Sequence, residues 1–356
     1  HRGQPLPVDL MIVDEVSMVD LALMAKLVDA LPETARLVLI GDRDQLASVE
    51  AGSVLSDICG RPHRPGFSPD FGDLVRSVTG QPVPIAGGGR PLQDCIVELQ
   101  TSHRFSAGSG IGALSRAVNQ GDTSAAMAVL SGCEDGTVTW MEPGTGTGRS
   151  NDLERRVADG YANYQAGGAA AALLQELNRF KVLCAHRAGV NGAATVNRLA
   201  ERLLMRAGRI RVDPRSVSPW YSGRPVLITQ NDYSLELFNG DIGVAGPDRA
   251  DTPDALSVFF RDTAGEGLRR FLPYRLPEHE TVYAMTVHKS QGSEFEDVLL
   301  ILPEEDSPVL SRELLYTALT RARSRFTLCA SPDVLARAIR RRIERTSGLR
   351  DALWGG

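Results

Sequence analysis

Two periods of apolar residues alternate along the first forty positions. Leu10 to Val13 is a short continuous apolar run that ends in carboxylates, the pattern of a buried parallel strand whose carboxyl end carries function. Met18, Leu21, Met24, Val28 and Leu31 then recur at helical spacing up to Pro32, and Leu37 to Ile40 repeats the strand pattern before Gly41-Asp42. Strand, helix and strand in so short a span predict a βαβ unit with a right-handed crossover and a parallel sheet. The fold class expected is therefore α/β. From Gly60 to Pro91, Pro, Gly and Arg dominate (RPHRPGFSP, PVPIAGGGRP), which predicts surface loop with one short helix around Phe71 to Val78. Order resumes at Cys95 to Leu99, weakens over Pro143 to Asn151, and passes through an Ala-rich helical segment to a further buried strand at Lys181 to Ala185. Pro225 to Thr229, Ile242 to Ala245, Leu256 to Phe260 and Arg269 to Pro273 are short strands parted by Gly, Asn, Asp and Pro turns, and predict a small β-barrel inserted into a second α/β domain. The α/β pattern returns at Tyr283, and there is no internal repeat.

Composition narrows the class without naming it. At 356 residues at least two folded units are expected. The apolar fraction is 42% and no run approaches the roughly 20 apolar residues of a membrane span. Five cysteines lie far apart with no CxxC pair, which suggests neither a zinc site nor a disulfide framework and fits a reducing cytoplasm. HRGQPLPVDL lacks a charged region leading into an apolar core, so no secretory signal is read there, and with His at position 1 the chain is expected to be truncated or processed. The net charge of −5 leaves any nucleic-acid site to local patches, of which the basic run Arg337 to Arg350 is one candidate, although a charge run is more often a solvated helix face.

Asp14-Glu15, within LMIVDEVSM, has the pattern of an acidic pair that a nucleotide triphosphatase needs: one carboxylate for the Mg²⁺ shell and another to orient and deprotonate water. The alternative is an acidic pair capping the next helix, with Ser17 as N-cap. Gly41-Asp42-Arg43-Asp44-Gln45-Leu46 ends the next strand at the same sheet edge, where Gln45 is placed to sense a γ-phosphate or the attacking water, or else is simply a turn residue. Three further segments follow in order: Ser102-His103-Arg104-Phe105, then TVHKSQGSEF from Thr286 to Phe295, then YTALTRAR from Tyr316 to Arg323.

Together these segments resemble the conserved motifs of superfamily 1 helicases. GDRDQLASVEAGSVLSDIC, TVHKSQGSEFEDV and YTALTRAR are similar to the RecD type, the alpha subunit of exodeoxyribonuclease V, nearly end to end. The resemblance implies two RecA-like parallel-sheet motor domains, the first incomplete, with an SH3-like β-barrel in the second. Residues 1–99 would be the remainder of the first motor domain, 100–215 and 281–356 the second, and 216–280 the insert. It further implies ATP and Mg²⁺ as cofactors, with Asp14 serving the metal through the nucleotide, Glu15 activating water, Gln45 reading the γ-phosphate, and Arg104 and Arg321 acting as arginine fingers. Gly292 and Glu294 would face the nucleotide, and Thr286, His288 and Lys289 single-stranded DNA. Contacts to phosphate rather than to base edges suit a sequence-tolerant motor. Arg321 read by itself is also a structural salt-bridge residue. Trp220, Tyr221, Tyr233 and Phe238 are candidates for base stacking or for the core of the insert.

One departure matters. Such a motor also needs GxxxxGK[ST], whose N–H groups and Lys cradle the β- and γ-phosphates, and these 356 residues contain none. Gly144-Thr-Gly-Thr-Gly148-Arg149-Ser150 has the wrong spacing, Arg in place of Lys, and lies after the acidic strand. The expectation is a polypeptide that by itself does not turn over ATP. Three activities remain in view: an ATP-dependent 5′ to 3′ DNA translocase working with RecB and RecC homologues at DNA ends in break repair, a stand-alone RecD-type helicase, and a catalytically silent module contacting DNA or a partner.

Overall fold

The computed structural model describes residues 3–48, 52–60, 66–87, 92–99, 108–143, 151–212, 218–249, 252–262, 267–343 and 347–354. The chain forms two compact units, one of His1–His103 with Ile343–Gly356 and the other of Arg104–Arg342.

In the first unit β1 (Leu10–Val13) and β2 (Arg36–Leu39) pair in parallel, from Leu10 opposite Arg36 to Val13 opposite Leu39. The crossover is α1 (Leu21–Ala30), opened by Asp20, whose carboxylate accepts the Leu23 amide at 2.7 Å. The βαβ unit is thus as expected, but its strands are not fully buried: Leu10, Ile12, Val38 and Ile40 alternate outward and are 42–57% exposed. Among the described residues one face is covered by a cluster of Val16, Met24, Val54 and Leu55. Val54 and Leu55 belong to α2 (Val54–Cys59), and α3 (Pro69–Thr79) supplies the short helix expected in the Pro/Gly region. Ser68 caps α3, Pro69 pre-sets its first turn and Gly80 closes it at φ 70°.

The second unit opens with α4 (Gly110–Gln120), α5 (Thr123–Gly132), β3 (Val138–Met141), α6 (Asn151–Gly160), α7 (Ala170–Arg179), β4 (Phe180–Cys184) and α8 (Ala193–Arg206). An insert follows, made of β5 (Pro225–Ile228), β6 (Ile242–Arg249), β7 (Thr252–Arg261), β8 (Leu268–Phe271) and β9 (His279–Thr281). The unit closes with β10 (Ala284–Thr286), β11 (Phe295–Ile301), α9 (Arg312–Leu319), β12 (Ala322–Cys329) and α10 (Pro332–Arg340). Its main sheet has the order β10-β4-β11-β12-β3 and is parallel throughout. β4 is wholly buried, and Asp297 near the start of β11 is kept by Arg325 at 3.0 Å and by Arg156, which also lies over the Phe180 ring.

The insert is an antiparallel sheet, β8-β7-β6-β5-β9, on its own apolar cluster of Val226, Ile228, Leu237, Ala245, Val258 and Phe260. β8 and β9 form its edges, so the described pairings make an open sheet. Tyr221 and Tyr283, where the chain enters and leaves the insert, are buried with Tyr161 and Tyr164 of the α/β core. Tyr164 donates to the Gly223 carbonyl at 2.7 Å, Tyr221 to Glu201 at 2.7 Å, and Tyr161 to the Tyr283 carbonyl. Burial pushes these phenols up in pKa, so they stay protonated donors. The chain then returns to the first unit, where α11 (Leu349–Trp354) lies against α2, whereas the sequence pattern carries the second α/β domain on to residue 356.

Candidate functional site

The sequence-predicted residues fall into two groups, each within its own unit. In the first unit the hydrogen-bond ladder runs past the strand ends, with Ile40 N–H donating to the Val13 carbonyl (2.8 Å) and Val16 N–H to the Ile40 carbonyl (3.0 Å). This brings Asp14-Glu15 beside Gly41-Asp42. Gly41 permits the approach: a Cβ there would lie 2.8 Å from Leu55 Cδ2 and 3.1 Å from the Val16 nitrogen. Glu15 itself takes the left-handed conformation, φ 52° and ψ 41°, which costs a residue with a Cβ on the order of 1 kcal/mol. Its amide is held by Asp14 Oδ1 at 2.8 Å, and a 3₁₀ turn of Val16–Met18 follows at once. The alternative capping role for Ser17 fails, because Asp20 caps α1 while the Ser17 hydroxyl is buried with no partner among the described residues.

Gln45 is fixed from behind. Its Nε2 donates to Asp42 Oδ2 (3.4 Å), the Asp44 amide donates to Asp42 Oδ1 (3.0 Å), and buried Leu46 pins the loop. Gln45 Oε1 is buried and has no hydrogen-bond partner among the described residues. A buried acceptor without a donor is costly, and the cost marks a place where a water or ligand proton belongs. Two carboxylates at a strand end, with one orphaned acceptor beside them, fit a hard cation carried in with phosphates and water, since Mg²⁺ takes few protein oxygens. Among the described residues no cluster of three or more His, Cys, Asp or Glu side chains is arranged to hold a metal without such help. Arg104 and its neighbours in SHRF lie outside the described residues.

In the second unit Thr286 ends β10 at the level of Cys184, and Asp297 of β11 pairs with Phe180 at the opposite end of β4. Residues 287–294 therefore run from the carboxyl edge of the sheet to its amino edge. Thr286 and His288 are half-buried. Lys289, expected at DNA, is engaged by Glu280 at 2.6 Å, with Arg187 on the other carboxylate oxygen at 3.2 Å. At the amino edge Gly292 turns the chain at φ 75°, and Glu294 accepts from Arg323 at 2.8 Å. Arg321 is 2% exposed; its guanidinium donates to the carbonyls of Ser293 and Thr317 and to Thr320 Oγ1, each at 3.2 Å. The two late segments are thus brought together, with Arg321 as their brace. Residues 286–288 and 292–294 therefore stand at opposite edges of the same sheet.

Sequence reasoning missed Asn197, on α8. Its Nδ2 donates to the Ala284 carbonyl (2.9 Å) and its Oδ1 accepts the Ala284 amide (2.7 Å), so a side chain completes the free edge of β10 two residues before Thr286. Nothing in the sequence distinguishes it from any helical Asn. Asn197→Ala leaves both backbone groups unpaired and is expected to lower stability by about 1–2 kcal/mol in urea melts. Within the basic run Arg337 to Arg350, Arg341 pairs with Asp306 at 2.7 Å, holding that carboxyl below its usual range, while Arg342 faces Glu313 and Arg350 faces Asp57. Of the aromatic candidates Tyr221 is core and Trp220 packs against Arg224 and His279, whereas Tyr233 is 78% and Phe238 41% exposed.

Residues 3–68 match the AAA domain family, and residues 281–329 match the UvrD-like helicase C-terminal domain. A protein named RecBCD enzyme subunit RecD from Mycolicibacterium smegmatis is 38% identical over 99% of this chain and 55% of its own length. The similarity to this RecD subunit runs over nearly the whole chain. The RecD subunit of Haemophilus influenzae is 34% identical over 98% of this chain and 55% of its own. The ATP-dependent RecD2 DNA helicase of Deinococcus radiodurans is 30% identical over 91% of this chain and 36% of its own. The chain thus spans about half the length of the RecD subunits it matches. Among solved structures, a Pif1 helicase from Bacteroides in complex with ADP-AlF3 and ssDNA is 16% identical, with a TM-score of 0.46 over 92% of this chain and 72% of that one. Among the described residues no helix is long and apolar enough to cross a membrane.

Proposed function

We propose that this chain is the larger share of an ATP-dependent 5′ to 3′ single-strand DNA translocase, a cytoplasmic subunit acting with RecB and RecC homologues on DNA ends in break repair. The observation that carries the reading is the Asp14-Glu15-Gln45 cluster, with its left-handed glutamate and its orphaned buried acceptor. Asp14 is the carboxylate that would hold Mg²⁺, which when bound with ATP supplies positive charge against the phosphate oxygens. Glu15 accepts the proton of the attacking water, and Gln45 Oε1 accepts a hydrogen bond that orients it. Arg104 and Arg321 are the proposed fingers; Arg321 serves only by exchanging its bonds to Ser293, Thr317 and Thr320 for phosphate. Gly292 and Glu294 belong to the nucleotide side, and Thr286, His288 and Lys289 to the DNA side.

Because these 356 residues hold no phosphate-cradling loop, the polypeptide alone is expected to show no DNA-stimulated ATP turnover, whereas the same chain joined to a GxxxxGK[ST]-bearing amino-terminal portion does. A coupled-enzyme assay with and without oligonucleotide decides it. Robust turnover by the short chain, or none by the extended one, overturns the reading. Finding the chain in complex with RecB and RecC homologues separates a subunit from a stand-alone RecD-type helicase.

A further inference from the structure

We infer that the carboxy-terminal segment Ser347–Trp354 is a positioning element for the acidic pair and Gln45, acting through α2. The side chain at its centre is Asp57, 3% exposed on α2. The Ser347 hydroxyl donates to Asp57 Oδ2 at 2.6 Å and accepts the Leu349 amide at 3.2 Å, so one hydroxyl both starts α11 and grips α2. Arg350 Nη2 lies 3.5 Å from Asp57 Oδ1, and the Trp354 indole N–H donates to the Asp57 carbonyl at 2.8 Å. Glycines at positive φ flank α2, Gly52 just before its Ser53 cap and Gly60 at its carboxyl end, and the segment abuts both. A Cβ on Gly52 would stand 3.2 Å from Ser347 Cβ, and one on Gly60 would stand 3.1 Å from the Trp354 ring. Leu349 joins the apolar cluster of Val16, Met24, Val54 and Leu55.

The far side of α2 touches the site. Leu55 lies against Gly41, at the end of β2, and packs with Val16, the residue that follows Glu15. A six-residue helix is too short to hold its own place, so its position comes from what packs on each side. Here one side is the clasp and the other is the backbone that sets Glu15, Asp42 and Gln45. Loosening the clasp frees α2 to shift, and the strained Glu15 conformation loses its backing.

The importance for turnover rests on the motor reading; the structural coupling does not, and two measurements keep them apart. In this 356-residue chain, Ser347→Ala and Trp354→Phe are expected to raise amide deuterium uptake severalfold in residues 14–18 and 41–48 as well as in α2. Ser68→Ala serves as control: it removes the α3 cap and a half-buried 2.6 Å bond to Asp94 in the same unit, without touching α2, and leaves 14–18 and 41–48 unchanged. In the amino-terminally extended protein the two clasp variants are expected to lower kcat about tenfold at unchanged KM for ATP, as a small misplacement remote from the chemistry does. The Ser68→Ala protein keeps its kcat. Uptake confined to 52–60 and 347–354, or an equal response in the Ser68→Ala control, overturns the inference even if the extended protein proves to be no ATPase. If the unaltered extended protein is silent while the exchange pattern is as expected, the motor reading falls and the clasp stands.

Discussion

Glu15→Gln in the amino-terminally extended protein is expected to cut DNA-stimulated ATP turnover by at least about 10²-fold while nucleotide binding survives. The amide keeps the size and the hydrogen-bonding reach of the carboxylate but cannot take a proton from water. Asp14, the carboxylate proposed to hold the metal, is untouched, and its bond to the residue 15 amide remains. Melting temperature is also expected to hold, because the left-handed backbone at position 15 is set by the strand ends and the 3₁₀ turn behind it, not by the side-chain charge. Glu15→Gly gives an independent check: glycine accepts φ 52° without strain, so that variant should be at least as stable as its parent and just as inactive. Turnover within a few-fold of the parent in Glu15→Gln, measured with a fluorescent nucleotide confirming occupancy, means that the general base lies elsewhere.

The sequence was most informative where a residue's role depends on its immediate neighbours. The run Leu10 to Val13 followed by two carboxylates, and the second run ending at Gly41, predicted strands that do pair in parallel with their polar ends together. The turns at Gly, Asn and Asp between 225 and 273 likewise predicted the short strands of the insert. Long-range partnerships were not legible. Lys289 is a cation in a motif, but only the fold brings Glu280 to it; Asn197 is an ordinary helical polar residue until the free edge of β10 is beside it. For Arg321 the sequence leaves open a finger or a structural ion pair, and its burial against Ser293 follows from the way residues 287–294 cross to the amino edge of the sheet. The return of residues 347–354 to α2 had no local signal, since Ser347 and Trp354 acquire meaning only opposite Asp57.

Lys181→Met is expected to stabilise the chain at neutral pH, and the gain should shrink as pH rises. Lys181 lies on the fully buried β4, with the Val282 carbonyl as acceptor at 3.1 Å and the Phe295 ring 5.5 Å away. Burial lowers its pKa from 10.5 to about 7. Between these values the unfolded chain binds a proton that the folded chain does not, so the parent gains stability as pH rises from 7 toward 10.5. Below pH 7 both states carry the proton, and the full penalty of a buried ammonium is present and no longer changes with pH. Methionine has nothing to titrate and fills similar space, although it leaves the Val282 carbonyl without its donor, which offsets part of the gain by about 1–3 kcal/mol. The advantage of the variant over its parent should therefore fall by about 3 kcal/mol between pH 7 and pH 9.5. Taking that difference between the two proteins cancels the buried tyrosines and every other titrating group they share. Urea melts of both proteins at half-unit steps across this range provide the curve, and a difference that stays constant with pH would show that Lys181 keeps its charge throughout.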